Sequence, residues 1–313
     1  MNRPVLTGLI SLFVLLCSVE AGIATEPSMP RISGQWWQVT GDPDLGNLTT
    51  PDQQPVDFGV WQAADGTWQL WSCIRKTAEQ GNTRLFYGWE GQQLTDADWT
   101  LTGIAMRADH TNHGEQRGGL QAPHVITVND LWYMCYGDWA RICLAKSADG
   151  KKFQRVLDDN GQPDLFSGPW TNCRDAMVLP VNGVYYCYYT AHLGYRKLGA
   201  VFCRTSVDLY NWSEPVKVAQ GGVAGSNMWS AECPHIVERD GWYYLFRTQR
   251  YGADNQTTVY ASRDPLDFGV DDDQYRLGTL PVAAPEIILY EGEWYIAALN
   301  TDLKGIRIAR MEW

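Results

Sequence analysis

One short pattern recurs five times along the chain. Each copy opens on a small or acidic residue and continues with a run of strand-forming residues, an Asn/Asp/Gly turn and an aromatic-rich run. Two such runs around a tight turn are typical of a β-hairpin. The copies cover residues 56–71, 121–136, 174–188, 231–246 and 283–297. A hairpin that repeats over nearly the whole chain indicates a repeat architecture.

The spacing of the copies indicates the size of each repeat. The aromatic anchors Trp68, Trp132, Tyr185, Tyr243 and Trp294 are 51 to 64 residues apart, which leaves room for four strands per copy. A Ser/Asp turn motif follows three hairpins, at residues 147–153, 206–212 and 262–268, between an expected third and fourth strand. The sequence therefore predicts an all-β, five-bladed β-propeller with four-stranded antiparallel blades, formed by one domain over residues 31–313.

The two ends of the pattern complement each other. Residues 34–40 precede the first copy without a hairpin of their own, and residues 305–313 form a third strand with no fourth strand after it. We expect the N-terminal segment to become the outer strand of the last blade. This pairing would close the ring and remove an open sheet edge.

Charge and the first residues bear on partners and location. The formal net charge of −11, with no Lys/Arg run, argues against nucleic acid as a partner.

Residues 1–24 have the pattern of an export signal, with Arg3, an apolar run over 5–16 and small residues at 22–24, so we expect an exported protein, periplasmic or extracellular. A lipid anchor at Cys17 is the alternative. We expect no membrane span in the mature chain.

The remaining seven cysteines have no regular spacing and form no CxxC pair. This pattern is not that of a disulfide framework or a zinc site. We expect buried, unpaired thiols, and we assign neither a metal site nor a cofactor. Whether a structural cation lies in the central channel stays open.

Three acids interrupt the repeat at equivalent places. Asp57, Asp175 and Glu232 lie 10 or 11 residues before their aromatic anchors, where inner strands converge on one mouth of a propeller. Carboxylates crowded in this way repel one another, which raises the pKa of at least one. A protonated acid beside an ionised one is the equipment for cleaving a glycosidic bond. Turn caps or a divalent-cation site are the alternatives.

The same segments resemble a known group of enzymes. Residues 57–71 resemble the first-blade segment of glycoside hydrolase family 32, Arg174-Asp175 resembles its Arg-Asp-Pro motif, and Glu232-Cys233 its Glu-Cys motif. The blade pattern is equally similar to family 43, the sister group of furanosidases, xylosidases and arabinanases. The resemblance implies that Asp57 is the nucleophile (family 32) or general base (family 43), that Asp175 is a fixed carboxylate that holds sugar hydroxyls, and that Glu232 is the general acid.

Further candidates come from the antiparallel hairpins, whose second strands end at the mouth where the first strands begin. The candidate substrate contacts are Arg174, Trp139, His192, Arg247, Gln249 and Trp37. His124 and His235 lie just beyond the mouth as relay or packing residues.

The predicted function is hydrolysis of a furanoside or a pentose-containing oligo- or polysaccharide. Retaining and inverting chemistry both stay open. The alternatives are a non-catalytic carbohydrate-binding or protein-interaction propeller, and a glycosyltransferring or phosphorolytic relative on the same fold.

Overall fold

Short antiparallel strands make up most of the structure, a computed structural model that describes residues 26–194 and 198–313. In chain order the strands are β1 (Arg31–Gly41), β2 (Gln54–Gln62), β3 (Trp68–Arg75), β4 (Leu85–Gly91), β5 (Thr100–Met106), β6 (Gln121–Val128), β7 (Leu131–Gly137), β8 (Arg141–Ser147), β9 (Gln154–Arg155), β10 (Asp164–Ser167), β11 (Cys173–Val181), β12 (Val184–Leu193), β13 (Leu198–Ser206), β14 (Val216–Gln220), β15 (Glu232–Arg239), β16 (Trp242–Arg250), β17 (Gln256–Ser262), β18 (Arg276–Leu280), β19 (Glu286–Tyr290), β20 (Glu293–Leu299) and β21 (Gly305–Glu312). One short helix, α1 (His110–His113), lies between the first two blades in the described residues. The predicted export signal at 1–24 lies outside the described residues.

The strands form five separate antiparallel sheets, which confirms the predicted five-bladed propeller. Blade 1 contains β2 to β5, blade 2 contains β6 to β10, blade 3 contains β11 to β14, and blade 4 contains β15 to β18. Blade 5 has the order β1-β21-β20-β19. In each blade the first strand of the hairpin is at one end of the sheet, so the five first strands lie innermost.

Strand β1 closes the ring as the sequence predicts. It pairs antiparallel with β21, from Arg31 opposite Glu312 to Gly41 opposite Gly305. The chain therefore holds its first and last strands together in one blade, and the outer edge of β21 is covered.

Blade 2 departs from the regular four-strand pattern. Its outermost position is shared by β9, of two residues, and β10, of four residues, which both pair with β8. The loop between them interrupts what would be a single fourth strand.

Aromatic side chains fill the space between neighbouring blades. The ring of Phe153, six residues after Ser147, packs edge-on against Trp61 and Trp71 of blade 1 with centroid distances of 5.7 and 5.2 Å. Phe268, six residues after Ser262, packs against Tyr188 of blade 3 at 6.3 Å. The Ser/Asp turns therefore fix an aromatic side chain that binds one blade to the preceding one.

The cysteines agree with the sequence-based expectation of unpaired thiols. All seven cysteines in the described residues are free thiols, six of them buried and Cys233 half-buried. No helix in the described part of the chain is long and apolar enough to cross a membrane.

Candidate active site

The start of every inner strand has the same backbone distortion. One residue in each blade has a positive φ, namely Asp57 (43°), Ala122 (42°), Asp175 (56°), Cys233 (44°) and Ala284 (48°). In blades 1 to 4 this residue falls in a register shift of the hairpin, as a β-bulge produces. A left-handed conformation costs a non-glycine residue about 1 kcal/mol or more, so five such bulges are a systematic feature of the fold.

The bulges define which residues are equivalent. Asp57 and Asp175 occupy the bulge in their blades, and Cys233 occupies it in blade 4. Glu232 lies one residue earlier and corresponds to Val56 and Arg174, so the expectation of three acids in one register is corrected. Since successive strand residues face opposite sides, Glu232 approaches the mouth from the side of Arg174.

Arg174 of blade 3 forms an ion pair with Glu232 of blade 4. Its Nε and Nη2 lie 2.9 and 2.8 Å from Oε1 of Glu232, and its Nε lies 3.7 Å from Oδ2 of Asp175. Its Nη2 also donates to the carbonyl of Met228, at 3.0 Å. Arg174 is 2% exposed, so this contact is a buried ion pair that fixes the position of the Glu232 carboxyl.

Cys233 connects Asp175 and Asp57 through two hydrogen bonds. Its backbone N–H donates to Oδ2 of Asp175 at 3.1 Å, and its thiol donates to Oδ1 of Asp57 at 3.3 Å. The hydroxyl of Tyr251 lies 3.2 Å from the same sulfur. Burial, together with Asp175 and Asp57, raises the pKa of the Cys233 thiol well above its ordinary value, so it stays protonated and remains a donor.

Burial also changes the acids themselves. It raises the pKa of Glu232 to about 7, and Asp175 and Asp57 add to the rise while Arg174 opposes it. Burial and then Asp57 raise the pKa of Asp175 to about 6, against Arg174 and the Cys233 N–H. The mouth therefore holds acids that stay partly protonated near neutral pH, as the sequence analysis expects for crowded carboxylates.

These residues surround a pocket of about 300 Å³ at the mouth. Asp57 and Glu232 lie on its walls together with Arg75, Arg84, Gln121, Trp139, Arg174, Trp229, Gln249, Arg250 and Tyr251. Asp175 lies beside it, at the top of the central channel with Asp57 and Cys233. The three predicted acids thus meet around one opening, and two of them face the same pocket.

Deeper in the channel Glu286 lies between two histidines. Its Oε2 is 3.4 Å from Nδ1 of His235 and 3.9 Å from Nδ1 of His124. Burial opposes ionisation of Glu286, but His235 and His124 outweigh it and lower its pKa to about 2. The two histidines noted in the sequence therefore join a buried network that ties blades 2, 4 and 5 together. Within the described residues no group of three or more His, Cys, Asp or Glu side chains is arranged to hold a metal ion.

The Glu286 network is expected to stabilise the propeller. Glu286→Gln removes the buried charge that both histidines face and should lower the free energy of unfolding by about 2 kcal/mol, measured by urea denaturation at pH 7. Glu293→Gln, at an exposed carboxylate of the next strand, should change it by less than about 0.5 kcal/mol. Equal losses in the two variants would contradict this stabilising role.

The predicted substrate contacts divide into two groups. Trp139, Arg174 and Gln249 line the pocket. His192 lies behind it, 7% exposed, with its Nε2 3.0 Å from Nη1 of Arg174 and its ring edge-on to Trp229 at 6.2 Å. His192 therefore contacts pocket-lining residues from behind.

The structure does not bring Arg247 to the pocket. Its guanidinium is buried and donates to the carbonyls of Ser230, Gly221 and Gly225, at 2.7, 3.2 and 2.6 Å. It fixes the segment that leads to Glu232. Regular alternation would put Arg247 and Gln249 on the same face of β16. A register shift between Thr248 and Arg250 breaks that alternation, so Gln249 lines the pocket and Arg247 does not.

Trp37 is also remote from the pocket. It lies on β1, the outer strand of blade 5, where its indole N–H donates to the carbonyl of Leu94 at 3.3 Å and its ring packs edge-on to Tyr295 at 6.2 Å. The outer strands of a propeller lie farthest from the channel. The prediction that β1 closes the last blade is therefore incompatible with Trp37 as a pocket wall.

Six residues of the pocket are missing from the sequence-based candidates. Arg75 and Gln121 lie at the hairpin strand ends that point to the mouth. Arg250 and Tyr251 directly follow Gln249, so a slightly longer reading of the β16 end would have included them. Trp229 lies three residues before Glu232, in a loop without a repeated pattern. Arg84 directly precedes β4, the third strand of blade 1, which lies outside the repeated hairpin.

The fold and the pocket define a class of protein, the five-bladed propeller glycoside hydrolases. A family model, glycosyl hydrolases family 43, matches residues 86–277, more than half of the chain. The chain belongs to this family, and it is a glycoside hydrolase. A comparison with curated protein sequences gave no match.

Solved structures agree with the fold. A thermostable family-43 glycoside hydrolase is 19% identical, with a TM-score of 0.62 over 87% of this chain and 92% of that one. CoXyl43, a β-xylosidase/α-arabinofuranosidase from a compost microbial metagenome, is 16% identical, with a TM-score of 0.58 over 90% and 95%. The family 32 β-fructofuranosidase BmSUC1 of Bombyx mori is 17% identical, with a TM-score of 0.59 over 86% of this chain and 60% of that one.

Proposed function

We propose that this enzyme hydrolyses a pentose-containing glycan with inversion at the anomeric carbon, using Glu232 as general acid and Asp57 as general base. The observation that carries the proposal is that carboxyls from blades 1 and 4, Asp57 and Glu232, line the same pocket and are held by different partners. Inverting hydrolysis requires two such carboxyls on opposite sides of the scissile bond.

Glu232 suits the acid role. Its raised pKa of about 7 keeps much of it protonated at neutral pH. Its partner Arg174 would stabilise the carboxylate that forms when the proton passes to the leaving-group oxygen. An acid with a pKa near the working pH is the most effective proton donor.

Asp57 suits the base role. It faces the pocket, and its Oδ1 accepts a hydrogen bond from the thiol of Cys233. This bond holds the carboxylate in one orientation, and the other oxygen is left to take a proton from an attacking water. We assign Asp57 as the general base and not as a nucleophile because the chain belongs to family 43.

Asp175 suits a supporting role. It lies in the channel between Asp57 and the Arg174–Glu232 pair, and its Oδ2 accepts from the N–H of Cys233. Its charge adds to the rise in the Glu232 pKa, so it tunes the acid.

The names of similar solved structures support a pentose substrate. They include a β-xylosidase, a β-xylosidase/α-arabinofuranosidase and an exo-1,5-α-L-arabinanase. The pocket has two indole walls, Trp139 and Trp229, whose flat faces suit a sugar ring.

The test is a panel of aryl pentosides and pentose oligosaccharides with product release followed by NMR. We expect release from at least one β-xyloside or α-arabinofuranoside, and none from the same substrate with Glu232→Gln. Release of hexoses alone would contradict the pentose proposal.

The pH profile tests the acid assignment. Because the acid must be protonated, kcat/KM should fall as pH rises through the raised pKa of Glu232, about 7. Arg174 lowers that pKa, so Arg174→Gln should move the alkaline limb to higher pH, whereas Arg174→Lys should move it less. An alkaline limb that stays in place in Arg174→Gln, with the fold intact by circular dichroism, would contradict the assignment.

A further inference from the structure

The pocket is rich in arginine although the protein is acidic. Arg75, Arg84, Arg174 and Arg250 all line it, against two carboxylates, Asp57 and Glu232. The whole chain has a formal charge of −11. A cleft of one sign on a protein of the opposite sign concentrates ligands of complementary charge.

Arg174 is neutralised by Glu232 and Asp175, but the other three arginines are not. In residues 26–194 and 198–313 no carboxylate lies within 4.0 Å of the side-chain nitrogens of Arg75, Arg84 or Arg250. Other arginines of this protein do have such partners, among them Arg107 with Glu79 and Arg155 with Glu115. Arginines elsewhere in the described residues, such as Arg204 and Arg276, also lack such a partner, so the distinguishing feature of the pocket is that three of these arginines meet there.

Arg75 and Arg84 are held in place by neutral contacts. Arg75 Nε donates to Oε1 of Gln54 at 2.9 Å, which leaves both terminal amino groups for a ligand. The Arg84 guanidinium carbon lies 4.6 Å from the ring centre of Trp139, and its Nε is buried without an acceptor. Stacking on an indole orients a guanidinium without neutralising it.

The raised pKa values of Glu232 and Asp175 increase the excess of positive charge around the pocket. Glu232 and Asp175 are partly protonated near neutral pH, so they offset less of the arginine charge. The hydroxyl groups of a neutral pentose make single hydrogen bonds, as donor or as acceptor, and carry no charge. Three guanidinium groups offer the paired donors that carboxylate and sulfate oxygens accept.

We propose that the substrate is an acidic glycan, and that Arg75, Arg84 and Arg250 bind a carboxylate or sulfate group on a sugar next to the cleaved pentose. This inference rests on the proposed function and names the substrate class of the same site. A uronic acid and a sulfate ester offer the same anionic oxygens, so the experiment separates these two sources.

Binding is measured calorimetrically on the full chain carrying Glu232→Gln, which prevents turnover. The ligands are xylotriose, xylotriose with one glucuronic acid branch, and xylotriose with sulfate esters. At 50 mM NaCl we expect at least one acidic ligand to bind about tenfold more tightly than xylotriose. The preference should shrink at 500 mM NaCl, because salt screens charge. The tighter of the two acidic ligands identifies the source of the anion.

Further substitutions in the Glu232→Gln protein show which arginines produce the preference for acidic ligands. Arg75→Gln, Arg84→Gln and Arg250→Gln should each reduce the ratio of acidic-ligand affinity to xylotriose affinity about threefold or more. Arg84→Lys should retain part of the preference. Arg276→Gln, which removes an exposed arginine from the outer strand of blade 4, should leave it unchanged.

The outcomes separate the two proposals. Equal binding of neutral and acidic ligands, or equal losses for both in the arginine variants, would overturn the acidic-glycan inference even if pentosides are cleaved. Release of no pentose by the wild-type enzyme from any neutral or acidic member of the panel would instead overturn the proposed function.

Discussion

Glu232→Gln is expected to lower kcat for an oligosaccharide by about 10²–10⁴-fold while substrate binding stays within about threefold. Glutamine keeps the shape of the side chain and its contact with Arg174 but has no proton to give to the leaving-group oxygen. The loss should depend on the leaving group. A 2,4-dinitrophenyl glycoside needs no protonation, so its cleavage should be much less affected.

Steady-state kinetics on the oligosaccharide and on the 2,4-dinitrophenyl glycoside measure how far the loss of kcat depends on the leaving group. The control is Glu238→Gln, at an exposed carboxylate of the same strand, which should leave both rates unchanged. An equal loss on the two substrates would assign Glu232 a role other than proton donation.

Asp57→Asn should lower kcat by a similar factor, about 10²–10⁴, but equally for all leaving groups. The amide cannot take a proton from water, and water attack is required whichever group departs. The fold should be preserved, because asparagine also tolerates the left-handed conformation of the bulge at φ 43°.

The matched control for this variant is Asp52→Asn, an exposed residue five positions earlier. Kinetics and thermal unfolding of both variants separate lost chemistry from lost stability. A selective loss on poor leaving groups would mean that Asp57, and not Glu232, protonates the leaving oxygen.

The sequence predicts the propeller because its signals are local and repeated. Each hairpin turn and each Ser/Asp turn is defined by adjacent residues. Because the hairpin pattern recurs five times, the repeat is recognisable even where one copy departs from it. The outer edge of blade 2 is an exception, since the break between β9 and β10 depends on an inserted loop that no repeat specifies.

The site is less predictable, because a one-residue bulge reverses the side on which a residue lies. The repeat spacing finds Asp57 and Asp175, which share the bulge, but it gives no sign that Glu232 lies one position earlier. A register shift between Thr248 and Arg250 likewise separates Gln249, which faces the pocket, from Arg247, which anchors a loop. Trp229 and Arg84 enter the pocket from segments outside the hairpins.

The arrangement of Arg174 and Cys233 explains how crowded acids coexist. Arg174 stabilises the ionised forms of Glu232 and Asp175, and the thiol of Cys233 reaches Asp57. Each acid has a different set of partners, and their proton affinities differ for that reason.

The most direct test of the central claim is the anomeric configuration of the first sugar released, followed by proton NMR from the first minutes of hydrolysis of a cleaved pentoside. With Asp57 as general base and Glu232 as general acid, the first-formed sugar should have the opposite configuration to the substrate, before mutarotation mixes the anomers. A first product with the substrate's own configuration would mean a covalent intermediate and would contradict the roles assigned to these two carboxyls.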